Sequence, residues 1–141
     1  MDEGDIRDIL QIILDSLSVK DFIWRVEGSA NLKIQGVDVS IRDLDINTND
    51  VGMEIFRDSL KEFFVKDFFN EKINGRSIIC DINGFEVEIN SYGDREKDMF
   101  DKNEQFSWGG LLVPILPLEN AREFYRLIGR DEKVELISRY L

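Results

Sequence analysis

The chain predicts an α+β domain in which one mixed β-sheet is backed by helices, and three observations carry that expectation. Apolar residues recur at helical spacing in some segments and alternate as in strands in others, without a fixed order. An Asn83-Gly84 pair joins two strand-like runs. No repeat, low-complexity tract or long linker divides the 141 residues, so residues 1–141 are expected to form one domain.

The elements follow from local pattern. Ile6, Ile9, Leu10, Ile13, Leu14 and Leu17 mark one face of an amphipathic helix. "DFIWRVEG" reads as a short strand ending at Gly28, and "SANLKIQG" as a short helix with Ser29 as its cap and Gly36 at its end. "SIRDLDIN" is a second strand. Asn49-Asp50 starts a helix running to about Phe64, with Ile55, Phe56, Leu60 and Phe63 as its apolar stripe.

"RSIICDI-NG-FEVEIN" is a hairpin, because both turn positions of Asn-Gly accept positive φ. "GDREKDMFDKNEQ" is a charged surface segment, "FSW-GG-LLVPIL" a further hairpin, and the end two helices broken near Gly129.

Composition narrows the chemistry. Lys and Arg total 18 against 29 Asp and Glu, a net charge of −11, which disfavours sequence-independent binding to long nucleic acid. No apolar run is long enough for a bilayer, and the acidic start "MDEGDIRDIL" is unlike a signal peptide, so a cytoplasmic protein with no membrane partner is expected. Histidine is absent, which removes Ser-His-Asp and Cys-His catalysis and the usual zinc sets. Cys80, the single cysteine, lies in an apolar run and reads as a small core residue rather than a nucleophile. Catalysis, if present, falls to carboxylates, Lys, Tyr or a hard cation such as Mg²⁺ or Mn²⁺.

Strand alternation puts Asp43 and Asp45 on one face and Arg42, Leu44 and Ile46 on the other. Glu86 and Glu88 share a face in the second run of the first hairpin, opposite Phe85, Val87 and Ile89. If the two strands are neighbours, three carboxylates converge, the ligand set of a two-metal phosphoryl-transfer site. The competing reading is a solvated acidic strand face. Gly28-Ser29 at a helix start aims backbone N–H groups and a hydroxyl at an anion, although no P-loop pattern is present.

In this order, "GSANLKIQG", "RDLDI" and "GFEVEI" resemble the nucleotidyltransferase superfamily, with its palm-like fold, and within it the small prokaryotic single-domain branch. The tail "GGLLVPILPLENAREFYRLIGRDEKVELI" is similar to that branch as well, so the resemblance covers residues 22–138. It implies transfer of a nucleoside monophosphate from an NTP to an acceptor hydroxyl on a protein, a small molecule or an RNA end, with release of pyrophosphate. It implies that Gly28 and Ser29 hold the β- and γ-phosphates, that Asp43 and Asp45 ligate Mg²⁺ or Mn²⁺, and that Glu88 is the third acid, with Glu86 as the alternative. Lys33, one turn after Ser29, reaches a phosphate or is solvated; Tyr125 and Lys133 border the nucleotide, with a core position as the alternative for Tyr125. The third acid is glutamate where aspartate is commoner, and the spacing from Gly-Ser to Asp-x-Asp exceeds that of the most compact members. A non-catalytic module of the same fold, serving as a toxin–antitoxin-type partner or nucleotide sensor, is the second expectation, prompted by Phe63, Phe64, Phe68 and Phe69.

Overall fold

The computed structural model describes residues 1–94 and 97–141. Arg95 and Glu96, inside the charged segment 93–105, lie outside the described residues. Helix α1 (Glu3–Ser16) opens on a reciprocal cap in which the Asp5 N–H donates to the Asp2 carboxylate at 2.8 Å and the Asp2 N–H to the Asp5 carboxylate at 2.9 Å. Its Ile6, Ile9, Leu10 and Ile13 are fully buried, as their spacing predicts.

Strand β1 (Trp24–Glu27) runs directly into α2 (Gly28–Ile34), which is followed by β2 (Leu44–Thr48) and α3 (Asp50–Ser59). Next come β3 (Phe64–Asn70), β4 (Gly75–Ile82) and β5 (Phe85–Ser91). The chain closes with the hairpin β6 (Glu104–Trp108) and β7 (Leu111–Ile115), then α4 (Leu118–Leu127) and α5 (Asp131–Ser138). No helix among the described residues is long and apolar enough to cross a membrane.

The main sheet has the order β1-β2-β5-β4-β3. β2 and β5 are parallel; the other pairs are antiparallel. Helices α1 and α3 cover one face, burying Leu44, Ile46, Ile78, Cys80, Val87 and Ile89. A second core joins Leu32 of α2 to Ala121, Phe124, Tyr125 and Ile137 of α4 and α5. Asn31 ties the two regions: its amide donates to the Leu116 carbonyl at 3.0 Å and its carbonyl accepts from the Leu116 N–H at 3.2 Å. This is the mixed sheet backed by helices that the pattern predicts. Asn83 and Gly84 take φ of 56° and 83°, and Gly109 and Gly110 turn the second hairpin at 58° and 79°.

Four local expectations are corrected. Helix α3 stops at Ser59 instead of running to about Phe64: a short 3-10 turn (Lys61–Phe63) leads into β3, an edge strand absent from the pattern-based reading. Leu60 and Phe63 mimic helical spacing, but the aromatic run from Phe64 prefers a pleated surface and finds β4 to pair with. Strand β2 begins at Leu44, which pairs with Val87 of β5 one residue before β1 joins at Asp45, leaving Asp43 in the bend before it. The cap of α2 is Glu27, whose carboxylate accepts from the Gly28 N–H at 3.3 Å, not Ser29. The β6–β7 hairpin forms its own two-stranded sheet.

Candidate active site

Register assembles the acids. Glu27 of β1 pairs with Asp45 of β2, and Asp45 with Glu88 of β5, so three carboxylates stand abreast across three strands on the face away from α1 and α3. Asp45 suffers most. Burial, then the charges of Glu88, Glu27, Asp43 and Glu86, push its carboxyl up to about 7. Glu88 is also raised, chiefly by burial and by Glu86 and Asp43, while a hydrogen bond from Asp45 opposes the rise. Without a cation, burial and like charge favour the protonated form at both carboxyls.

Glu27 is occupied differently. Its Oε2 lies 2.8 Å from both Nε and Nη2 of the fully buried Arg25 and accepts from the Asn47 amide at 3.1 Å. Arg25 is itself held by the Asn103 side chain at 3.1 Å, by the Asp98 carbonyl and by the faces of Phe100 and Phe124. Glu27 is thus a fixed anion beside Asp45 rather than a free ligand.

Gly28 has φ +67°, and a Cβ there would meet Asp45 Oδ2 at 2.7 Å. Two independent constraints therefore demand glycine, and both serve the approach of the Gly-Ser turn to the acid. Ser29 Oγ accepts from Lys133 Nζ at 3.3 Å, which brings α5 over the turn.

Asp45 is the wall between two recesses. Ser29, Arg42, Asp43 and Asp45 line a cleft of about 550 Å³. On the other side, a cavity of about 470 Å³ has Asp45, Glu88, Asn47 and Asn90 among its polar lining and Phe68 and Tyr125 among its aromatic lining. Burial and the nearby Glu27 raise the Tyr92 and Tyr125 hydroxyls well above the usual phenol range, so both stay protonated.

The structure thus gathers Gly28, Ser29, Asp43, Asp45 and Glu88 around one point of the sheet. Asp43 is 38% exposed and turned loosely toward Arg42 Nε at 4.0 Å. Glu86 is exposed and lines neither recess, so Glu88 is the acid opposite Asp45. Lys33 points elsewhere: its ammonium donates to the Val39 carbonyl at 3.4 Å and lines a separate surface cleft near Met1. Tyr125 is both core and cavity wall. Cys80 is buried in the core, where burial pushes its thiol up to about 11, as the inert reading requires. Of the four phenylalanines, Phe63 and Phe64 pack on the core, Phe68 lines the cavity and Phe69 is exposed.

Arg25, Glu27, Asn47, Lys72 and Arg130 belong to the site's surroundings without a sequence motif to announce them. For Glu27 a signal existed: strand alternation counted back from the turn puts it beside Gly28. The donors near Asp45 are hard oxygens with unbalanced negative charge, which suits a divalent cation in kind. Among the described residues, no three acids are already drawn together tightly enough to enclose one.

A strand, a Gly-Ser turn, a helix and an acid-bearing strand, with a further acid on the parallel neighbour, define a nucleotidyltransferase-type fold. The chain is similar over 99% of its length to 94% of a candidate nucleotidyltransferase from Thermotoga maritima, with a TM-score of 0.76 and 26% identity. A nucleotidyltransferase-like antigenic protein from Paracoccidioides brasiliensis aligns with 84% of this chain and 62% of its own, at 16% identity and a TM-score of 0.49, too distant to add weight. No protein-family model and no curated protein matches. The chain has the nucleotidyltransferase fold.

Proposed function

We propose that the protein is a metal-dependent nucleotidyltransferase that moves a nucleoside monophosphate from an NTP to an acceptor hydroxyl. The observation that supports it most directly is Asp45: mostly buried, flanked by Glu27 and Glu88 on both neighbouring strands, and pressed by Gly28. Such crowding of like charge is costly unless a cation relieves it.

Asp43, Asp45 and Glu88 would hold Mg²⁺ or Mn²⁺, which when bound would neutralise charge building at the α-phosphate. Ser29 and Lys133 would receive the terminal phosphates in the cleft shared with Asp43. Gly28 contributes by letting the turn approach, since its own N–H is already engaged by Glu27. Lys33 is not assigned a phosphate, because its ammonium faces Val39. The nucleoside and the acceptor share the cavity lined by Asp45, Glu88, Asn47 and Asn90. The acceptor oxygen forms a bond to the α-phosphorus as the bond to pyrophosphate breaks, and Glu88 takes the hydroxyl proton.

The non-catalytic reading gains no specific support, since three of the four phenylalanines that prompted it serve the core or the cavity. A thermal-shift screen of the four NTPs with and without Mg²⁺ or Mn²⁺ tests the proposal. Stabilisation that requires metal and NTP together, and is lost in Asp43→Asn/Asp45→Asn, is the expected result. NTP binding that ignores metal and survives the double change refutes it.

A further inference from the structure

The site cavity adjoins a second recess of about 600 Å³, with Lys72, Ile73, Tyr92, Ile128 and Arg130 lining both. Along the way the chemistry changes sign. The inner end carries Asp45 and Glu88. One pleat further, Asn47, Asn90 and Ser77 form a row across three strands, and Asn70 of β3 reaches Ser77 on the diagonal.

That row is wired in one direction. The Asn70 amide donates to Ser77 Oγ at 3.0 Å, and the Ser77 hydroxyl donates to the Asn90 carbonyl oxygen at 2.5 Å. Asn90 is thereby oriented with its amide N–H groups left for another acceptor.

Among the described residues, the outer recess is lined by Lys72, Lys97 and Arg130 against one carboxylate, Asp94. Lys97 lies 3.6 Å from Asp94, and Arg130 2.6 Å from the exposed Glu132. Lys72 has no ion-pair partner among the described residues. In a chain of net charge −11, three cations around one recess run against the surface as a whole. Such a local reversal concentrates anions at that mouth and repels them elsewhere.

From this gradient we infer that the acceptor is a small alcohol bearing a phosphate. Its hydroxyl points to Glu88, its middle lies over the asparagine row, and its phosphate rests among Lys72, Lys97 and Arg130. Glu88 and Tyr92, the residue just past the end of β5, are four residue steps apart, about 14 Å at ~3.4 Å per residue, and the basic side chains shorten that span. A molecule of mononucleotide size or smaller fits. The inference rests on the transferase reading for the hydroxyl end, but its phosphate end is testable by binding alone.

The test is an amide NMR titration of the full chain with glycerol 3-phosphate, with glycerol as the neutral control and α,β-methylene ATP plus Mg²⁺ as the nucleotide. The expected result is shifts at Lys72–Asn74 and Ile128–Arg130 with glycerol 3-phosphate and not with glycerol. Binding should weaken at least fivefold in Lys72→Gln/Lys97→Gln. It should also persist when the nucleotide saturates the protein. No shift, an equal response to glycerol, or loss of glycerol 3-phosphate on saturation with the nucleotide overturns the inference, the last because the cations then serve the NTP's own phosphates. If the nucleotide itself does not bind while glycerol 3-phosphate does, the transferase reading fails and the anion site stands.

Discussion

Asp45→Asn should make the protein more stable at pH 8 and leave it unchanged at low pH. The native carboxyl is pushed up to about 7 from 3.8, mainly by burial and by Glu88 and Glu27. Between those two pH values the folded chain keeps a proton that the unfolded chain has lost. Stability therefore falls as pH rises through this window, and the full penalty is present above about pH 7. At about 1.4 kcal/mol per pH unit, the gap amounts to ~4 kcal/mol, and sharing of the proton with Glu88 reduces what Asp45 alone contributes to about 2 to 4 kcal/mol.

Asparagine keeps the shape, keeps a donor toward Glu88 and removes the charge. Urea unfolding followed by fluorescence of the buried Trp24, in EDTA, should show the variant ahead of wild type by that amount at pH 8, with the difference closing by about pH 4. Equal stability at pH 8, or a gap that widens on acidification, would refute the claim that like charge is stored at this position.

Mg²⁺ at pH 8 should raise the Tm of wild type and not that of Asp43→Asn/Asp45→Asn, read by differential scanning fluorimetry. Gly28→Ala should cost about 1–2 kcal/mol for its left-handed backbone alone, and in a double-mutant cycle with Asp45→Ala the combined cost should be less than the sum, because the 2.7 Å approach to Oδ2 is then gone. Glu27→Gln should lower stability by about 3 kcal/mol in urea unfolding, since it leaves the buried Arg25 without its counter-charge. Lys133→Ala, at a half-buried position whose ammonium donates to Ser29 Oγ, should raise the Kd for Mg-NTP in calorimetry several-fold with little change in urea midpoint.

Much of this fold was legible because it rests on local signals. The turn at Asn83-Gly84, the stripe of α1 and the alternation of β5 each need only a few neighbouring residues to be read. β3 was not, because "FVKDFF" follows a helix whose apolar spacing carries on into it through Leu60 and Phe63; only pairing with β4, seven or more residues ahead, decides for strand. The same division holds at the site. Glu88 was preferred over Glu86 by resemblance, whereas the register that sets it opposite Asp45 is a fact of β2–β5 pairing across some forty residues of chain. Lys33 was placed by helical spacing from Ser29, yet a seven-residue helix leaves it free to turn to the Val39 carbonyl.

On the proposed transferase reading, what limits the number of acids free to bind metal is Arg25. Five carboxylates gather near the end of β2, and a local conflict of this kind in an otherwise consistent fold marks a functional position. Glu27 is taken by Arg25, Asn47 and the Gly28 N–H, and Glu86 faces solvent outside both recesses. Burying the Arg25–Glu27 pair yields little net stability by itself, but it fixes where the negative charge stands. That charge, one strand from Asp45, holds a proton on the free site and would favour any cation that displaces it. Asp43, Asp45 and Glu88 are then left as the acids with lone pairs to offer, one from the bend before β2, one from β2 itself and one from β5.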